Sequence, residues 1–174
     1  VRRTMRFPPD EAVTKILEAL EARLAAVPPR PAGFFRPERI LRVDPGSWEP
    51  AWRARVEGMC SVYPDAQVAD VEGIAHHQIP LGGGGLGENQ RRGKRTLVFA
   101  RHGSAVQESC ERDNACPNYW HFSPYGSCPY DCAYCYLADT RAVAISPTVK
   151  IFLNLREILE RVHEKSMGLA RPTA

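Results

Sequence analysis

Three cysteines, Cys128, Cys132 and Cys135, stand in the run Gly126-Ser127-Cys128-Pro129-Tyr130-Asp131-Cys132-Ala133-Tyr134-Cys135-Tyr136-Leu137, spaced by three residues and then by two. Thiolate is the soft donor that iron–sulfur clusters require, and three thiolates on one short loop can each take one iron corner of a [4Fe–4S] cubane. A cubane has four corners, so this set leaves one iron open to a substrate or cofactor. The competing chemistry is structural zinc, which closes its shell with four ligands, usually from paired C-x-x-C knuckles. Here 132 and 135 form the one such pair, and the fourth ligand would have to come from Cys110, Cys116, His121 or the pair His76 and His77. The asymmetric triad with an aromatic before its last cysteine favours the cluster over zinc. Disulfides are the weakest reading, because five of the six cysteines crowd between 110 and 135 in a chain with no secretion signal.

The triad, with Tyr134 directly before Cys135, resembles the cluster motif of the radical S-adenosylmethionine (radical SAM) superfamily. The flanking runs narrow the likeness. Cys116-Pro117-Asn118-Tyr119-Trp120, the Gly126 leading into the triad, Cys135-Tyr136-Leu137, and Val149-Lys150-Ile151-Phe152-Leu153-Asn154-Leu155 are similar to the spore photoproduct lyase branch, which repairs a thymine adduct in DNA. The resemblance implies that Cys128, Cys132 and Cys135 bind the [4Fe–4S] cluster, that S-adenosyl-L-methionine chelates the open iron, and that Tyr134 lies on the adenine side. It further implies an electron donor such as flavodoxin or ferredoxin, cleavage of the cofactor to a 5′-deoxyadenosyl radical, and DNA as substrate, extruded from its stack to meet the radical. Two other readings stand beside it: the same cofactor with a peptide, tRNA or small-molecule substrate, and a zinc-stapled binding module with no catalysis.

The fold implied is α/β: the N-terminal portion of a partial (β/α) radical SAM barrel, residues 96–174, preceded by a mixed N-terminal extension, residues 1–95. Each strand–helix unit takes about 30 residues, and 39 residues follow Cys135. The expectation is therefore a fragment of a longer enzyme, inactive alone, with the hydrogen-atom donor and further cofactor contacts unassigned.

The elements that must hold the cysteines can be read from periodicity. Val13, Ile16, Leu17, Leu20, Leu24 and Val27 recur at steps of three and four, which predicts an amphipathic helix over 9–27, with Glu11 and Lys15 as an i,i+4 pair. Trp48–Met59 predicts a short helix. Phe34, Phe35, Trp48 and Trp52, near several arginines, read as core aromatics, with a nucleic-acid surface as the alternative. Gly82 to Gly85, Gly87 and Gly93 predict a flexible loop over 80–93 that lacks the Gly-Lys-Ser/Thr ending of a phosphate loop. Thr96–Ala100, Ala142–Ile145 and Val149–Leu153 predict strands, and Leu155–Leu169 a helix capped by Asn154 and Glu157. Cys60 reads as a small buried hydrophobe. Of 174 residues, 44% are hydrophobic and 25% charged, which excludes a wholly disordered chain. The net charge of +3 is compatible with nucleic acid without requiring it. No apolar run is long enough for a membrane span, and no apolar core follows the basic N-terminus, so a cytoplasmic location is expected.

Overall fold

The computed structural model describes residues 9–26, 35–109, 119–130 and 146–169. In chain order their elements are α1 (Pro9–Ala26), β1 (Arg39–Val43), α2 (Pro50–Cys60), β2 (Gln67–Val71), α3 (Leu86–Lys94), β3 (Thr96–Ala100), β4 (Val106–Ser109), β5 (Tyr119–Phe122), β6 (Tyr125–Gly126), β7 (Val149–Phe152) and α4 (Leu155–Leu169). They fall into two compact units. One holds the main sheet with α2 and α3, and the other holds α1, the β4–β5 pair and α4.

The main sheet has the order β2-β1-β3-β7-β6. Its first four strands run parallel, and β6 lies antiparallel on β7, with Gly126 opposite Lys150. This mixed α/β architecture with a parallel sheet is the class expected from the sequence. Strands from both sides of residue 95 share the sheet. All five residues of β3 are buried, as a parallel strand covered on both faces must be. On one face Ile40, Leu97, Phe99 and Leu153 pack with Trp48 and with Val56 of α2. The Trp48 indole nitrogen donates to the Val43 carbonyl at 3.0 Å, which satisfies its polar handle inside the core. Phe35 meets Tyr63 edge-on, and Trp52 packs against the same cluster. The described aromatics of 32–58 are thus core, and the nucleic-acid alternative for that stretch is set aside. Cys60 packs against this cluster too, and burial pushes its thiol pKa up.

β1 carries two arginines that its place beside β3 makes unexpected. Arg42 stands in register with Asp70 of β2, and the two form an ion pair at 2.5 Å. The charge is met on the neighbouring strand rather than buried alone.

The loop predicted over 80–93 is corrected by the structure: Leu86–Lys94 is helical. Gly85 stands at its N-cap, Glu88 lies in the first turn, and Arg91, Arg92 and Lys94 in the last, the charge order that suits a helix dipole. Arg92 pairs with Glu88 one turn back and donates to the carbonyls of Leu81 and Gly83, so it ties the preceding glycines to the helix. Within this stretch, two glycines before the helix use the freedom that glycine provides, with φ of 91° at Gly82 and 146° at Gly84.

In the second unit α1 packs on α4, and the predicted Glu11–Lys15 pair forms at 2.6 Å. Lys165 of α4 lies 5.0 Å from the Trp120 ring centre on β5. The Asn154 amide donates to Glu157 at 3.1 Å, so the predicted cap residues meet through their side chains. The strand expected at Ala142–Ile145 lies outside the described residues.

Candidate metal centre

Of the motif residues, Cys128 lies among the described residues, whereas Cys132, Tyr134 and Cys135 lie outside them, as do Cys110 and Cys116. Cys128 is exposed, and among the described residues it forms no disulfide. Because β6 runs antiparallel, the chain leaves it at the amino ends of the parallel strands. Ser127 then turns with φ of 58°, a left-handed conformation that costs a non-glycine residue about 1–2 kcal/mol. Its hydroxyl donates to the Pro147 carbonyl at 3.1 Å, which helps to hold the turn. Two residues past Cys128, the Tyr130 carbonyl accepts from the Lys94 ammonium at the end of α3. The first motif cysteine is therefore pinned on both sides while its sulfur faces outward.

Two close approaches support this segment. A Cβ on Gly93 would come within 2.8 Å of the Pro147 backbone, so the absence of a side chain is what lets α3 touch the lead into β7. A Cβ on Gly126 would lie 3.2 Å from the Lys150 side chain. Lys150 is buried on β7, and its ammonium donates to the carbonyls of Ser146 and Thr148, each at 3.0 Å. Burial lowers its pKa to about 8. Lys94 and Lys150 were not singled out in the sequence. For Lys150 the clue was available: a lysine inside the apolar strand Val149-Lys150-Ile151-Phe152 needs partners of its own.

The donor chemistry fits an iron–sulfur cluster. The described part of the motif offers an outward thiol on an anchored turn, and the remaining sequence supplies two more thiols at spacings that reach one cubane. Among the described residues, no group of three or more His, Cys, Asp or Glu side chains is arranged to hold a metal ion. His76 and His77, considered as zinc ligands, lie elsewhere. Their rings sit 5.2 Å apart, and His76 also packs on His102 at 4.9 Å and on Phe152 at 5.0 Å, at the carboxyl end of β7.

That imidazole cluster has a pH signature. Burial, then the charges of His102, Lys150 and His77, lower the pKa of His76 to about 4. Burial, then His77 and Lys150, lower that of His102. The His76 Nδ1 is buried and has no hydrogen-bond partner among the described residues. Both groups bind protons more readily in the unfolded chain, so stability is present above the ordinary histidine range and falls as pH drops from about 6.5 towards 4. For a partly exposed ring the His76 contribution is on the order of 1 kcal/mol after solvent screening. His76→Phe should flatten the decline of the urea midpoint between pH 7 and pH 5, and an unchanged slope would show that the cluster does not govern it.

A separate open cavity of about 320 Å³ lies over the carboxyl ends of β1 and β2, lined by Arg42, Trp48, Arg53, Asp70 and Glu72 among others. Its arginines are engaged, Arg42 by Asp70 and Arg53 by the carbonyls of Gly46 and Trp48.

No family model matches the chain, and no curated protein matches it in sequence. Solved structures do resemble it. A spore photoproduct lyase complexed with dinucleoside spore photoproduct superposes with a TM-score of 0.56 at 19% identity, covering 79% of this chain and 38% of that one. A doubly substituted spore photoproduct lyase with bound AdoMet and dinucleoside spore photoproduct gives 0.55 at 18% identity with the same coverage. The likeness is one of fold, and this chain spans less than two fifths of the length of those lyases. Among the described residues no helix is long and apolar enough to cross a membrane.

Proposed function

We propose that this chain carries the cluster-binding part of a radical SAM protein of the spore photoproduct lyase kind, acting on a lesion in DNA. The observation that carries the reading is a coincidence of two independent features. A three-cysteine motif with radical SAM spacing occurs in a chain whose parallel sheet has the fold of solved spore photoproduct lyases. Cys128, Cys132 and Cys135 would hold the cluster, and Tyr134 would lie beside the adenine of S-adenosylmethionine. When bound, the cluster supplies the electron that cleaves a carbon–sulfur bond of that cofactor. The protein's own contribution is positional. Ser127 and Lys94 fix the backbone on either side of the first thiol, and Gly126 lets that backbone lie close over Lys150. Preset ligands lower the ordering cost of binding a cluster.

The test is anaerobic reconstitution of the chain with iron and sulfide, followed by reduction and electron paramagnetic resonance with and without S-adenosylmethionine. The expected result is about four irons per chain and a spectrum that changes when S-adenosylmethionine is added. Stoichiometric zinc with no iron uptake would overturn the reading. An iron spectrum indifferent to S-adenosylmethionine would overturn the open-iron part of it.

A further inference from the structure

The amino end of the main sheet gathers cations and aromatics around Cys128. Tyr125 and Tyr130 flank the cysteine, and they are 69% and 48% exposed, unlike the core tyrosine Tyr63. Next to them stands the end of α3. Arg91, Lys94 and Arg95 are spaced i, i+3 and i+4, which puts them on one face of that helix and its cap. Lys94 ties this face to the tyrosine segment through the Tyr130 carbonyl. Arg91 also donates to Gly87 within its own helix. Glu38 is the counter-charge, paired with Arg95 at 2.6 Å with both side chains 63% exposed. Cations at the last turn of a helix also favour its dipole, but that accounts for neither the two exposed rings nor the link between helix and cysteine segment.

We propose that this face, Arg91, Lys94 and Arg95 with Tyr125 and Tyr130, holds single-stranded or locally opened DNA beside the cysteine motif. The cations take phosphates, and the tyrosines stack on bases drawn out of the helix. This rests on the DNA reading above and adds the surface that would deliver the strand. Glu38 acts as a brake, because it competes with phosphate for Arg95.

The experiment is fluorescence anisotropy of the full 174-residue chain with a labelled thymine-rich single-stranded DNA over a range of salt. Three changes are expected. Replacing Arg91, Lys94 and Arg95 together by Gln should weaken binding and lower the slope of log affinity against log salt by about 2, at roughly 0.7 per phosphate contact on a single strand. Lysine at 91 and 95 should restore both. Tyr130→Ala should weaken binding about fivefold or more with the slope unchanged. Glu38→Gln should tighten binding at low salt, and it tests the face even if the triple variant fails to fold. No binding by the parent chain, an unchanged salt slope in a folded triple variant, no loss in Tyr130→Ala, or stronger binding to RNA of the same sequence would each overturn the proposal. Iron uptake without DNA binding sinks this surface and leaves the cluster reading. DNA binding without iron uptake does the reverse.

Discussion

Cys132→Ala is expected to come through anaerobic reconstitution colourless, with its iron and sulfide content near zero, where the parent chain takes up about four of each. On the proposed reading three thiolates would hold three of the four irons, and the fourth would be left for a small molecule. Removing one thiolate leaves two corners without protein, and a cubane held by two points is open to water and to loss of iron. Cys128→Ala and Cys135→Ala should behave alike, because each corner is equally needed. Cys60→Ser, Cys110→Ser and Cys116→Ser should keep the brown colour, since none fits the three-and-two spacing and Cys60 packs against the sheet core. The contrast is the test. If Cys116→Ser loses iron as completely as Cys132→Ala, Cys116 is a fourth ligand, no iron is open, and the chemistry shifts towards electron transfer.

Phe99→Ala should cost about 3–5 kcal/mol of folding stability, the range for emptying an aromatic site in a packed core. Phe99 is wholly buried on β3, in the cluster with Ile40, Trp48, Val56, Leu97 and Leu153, and its backbone pairs with β1 on one side and β7 on the other. A domain of this size holds only about 5–15 kcal/mol in total, so the variant should unfold at a much lower urea concentration or fail to accumulate. Because β7 hangs on β3, the lead into β7 that receives Ser127 would loosen as well. A drop of less than about 1 kcal/mol in the unfolding free energy would mean that this core does not hold the sheet together.

The parts of this fold that the sequence revealed are those where one residue pattern serves one partner. α1 and α4 show helical periodicity, the Asn154 and Glu157 predicted to cap α4 meet through their side chains, and β3 and β7 are short, largely apolar runs. β1 and β2 were hidden because Arg39, Arg42 and Asp70 interrupt the apolar pattern expected of parallel strands, and the pairing of Arg42 with Asp70 depends on a register no local pattern encodes. α3 was hidden by its glycines. Its stability comes from Arg92 and Glu88, and from the contact of Gly93 with Pro147, a residue 54 positions later. The site shows the same division. The cysteine spacing is local and legible. The supports of Cys128 come from α3 and β7, and a strand-borne lysine was the single local hint of them. The exposed tyrosines escaped notice because their exposure is a property of the folded surface.

The antiparallel placement of β6 carries a consequence for the order of events as the chain is made. β6 has β7 as its strand partner, β7 rests on β3, and the turn at Ser127 is fastened to Pro147. On the ribosome all three motif thiols therefore exist before the strand that steadies the first of them, since Phe152 lies 17 positions after Cys135. At about 5–20 residues per second that gap lasts on the order of a second or more. Once clear of the ribosome, the thiols stay on unanchored chain until β7 docks, open to oxidation and to whichever soft metal arrives first. If the motif binds the proposed cluster, its assembly belongs after β7 has docked, and scarcity of iron or excess of oxygen in that interval would do its damage before the protein has finished folding.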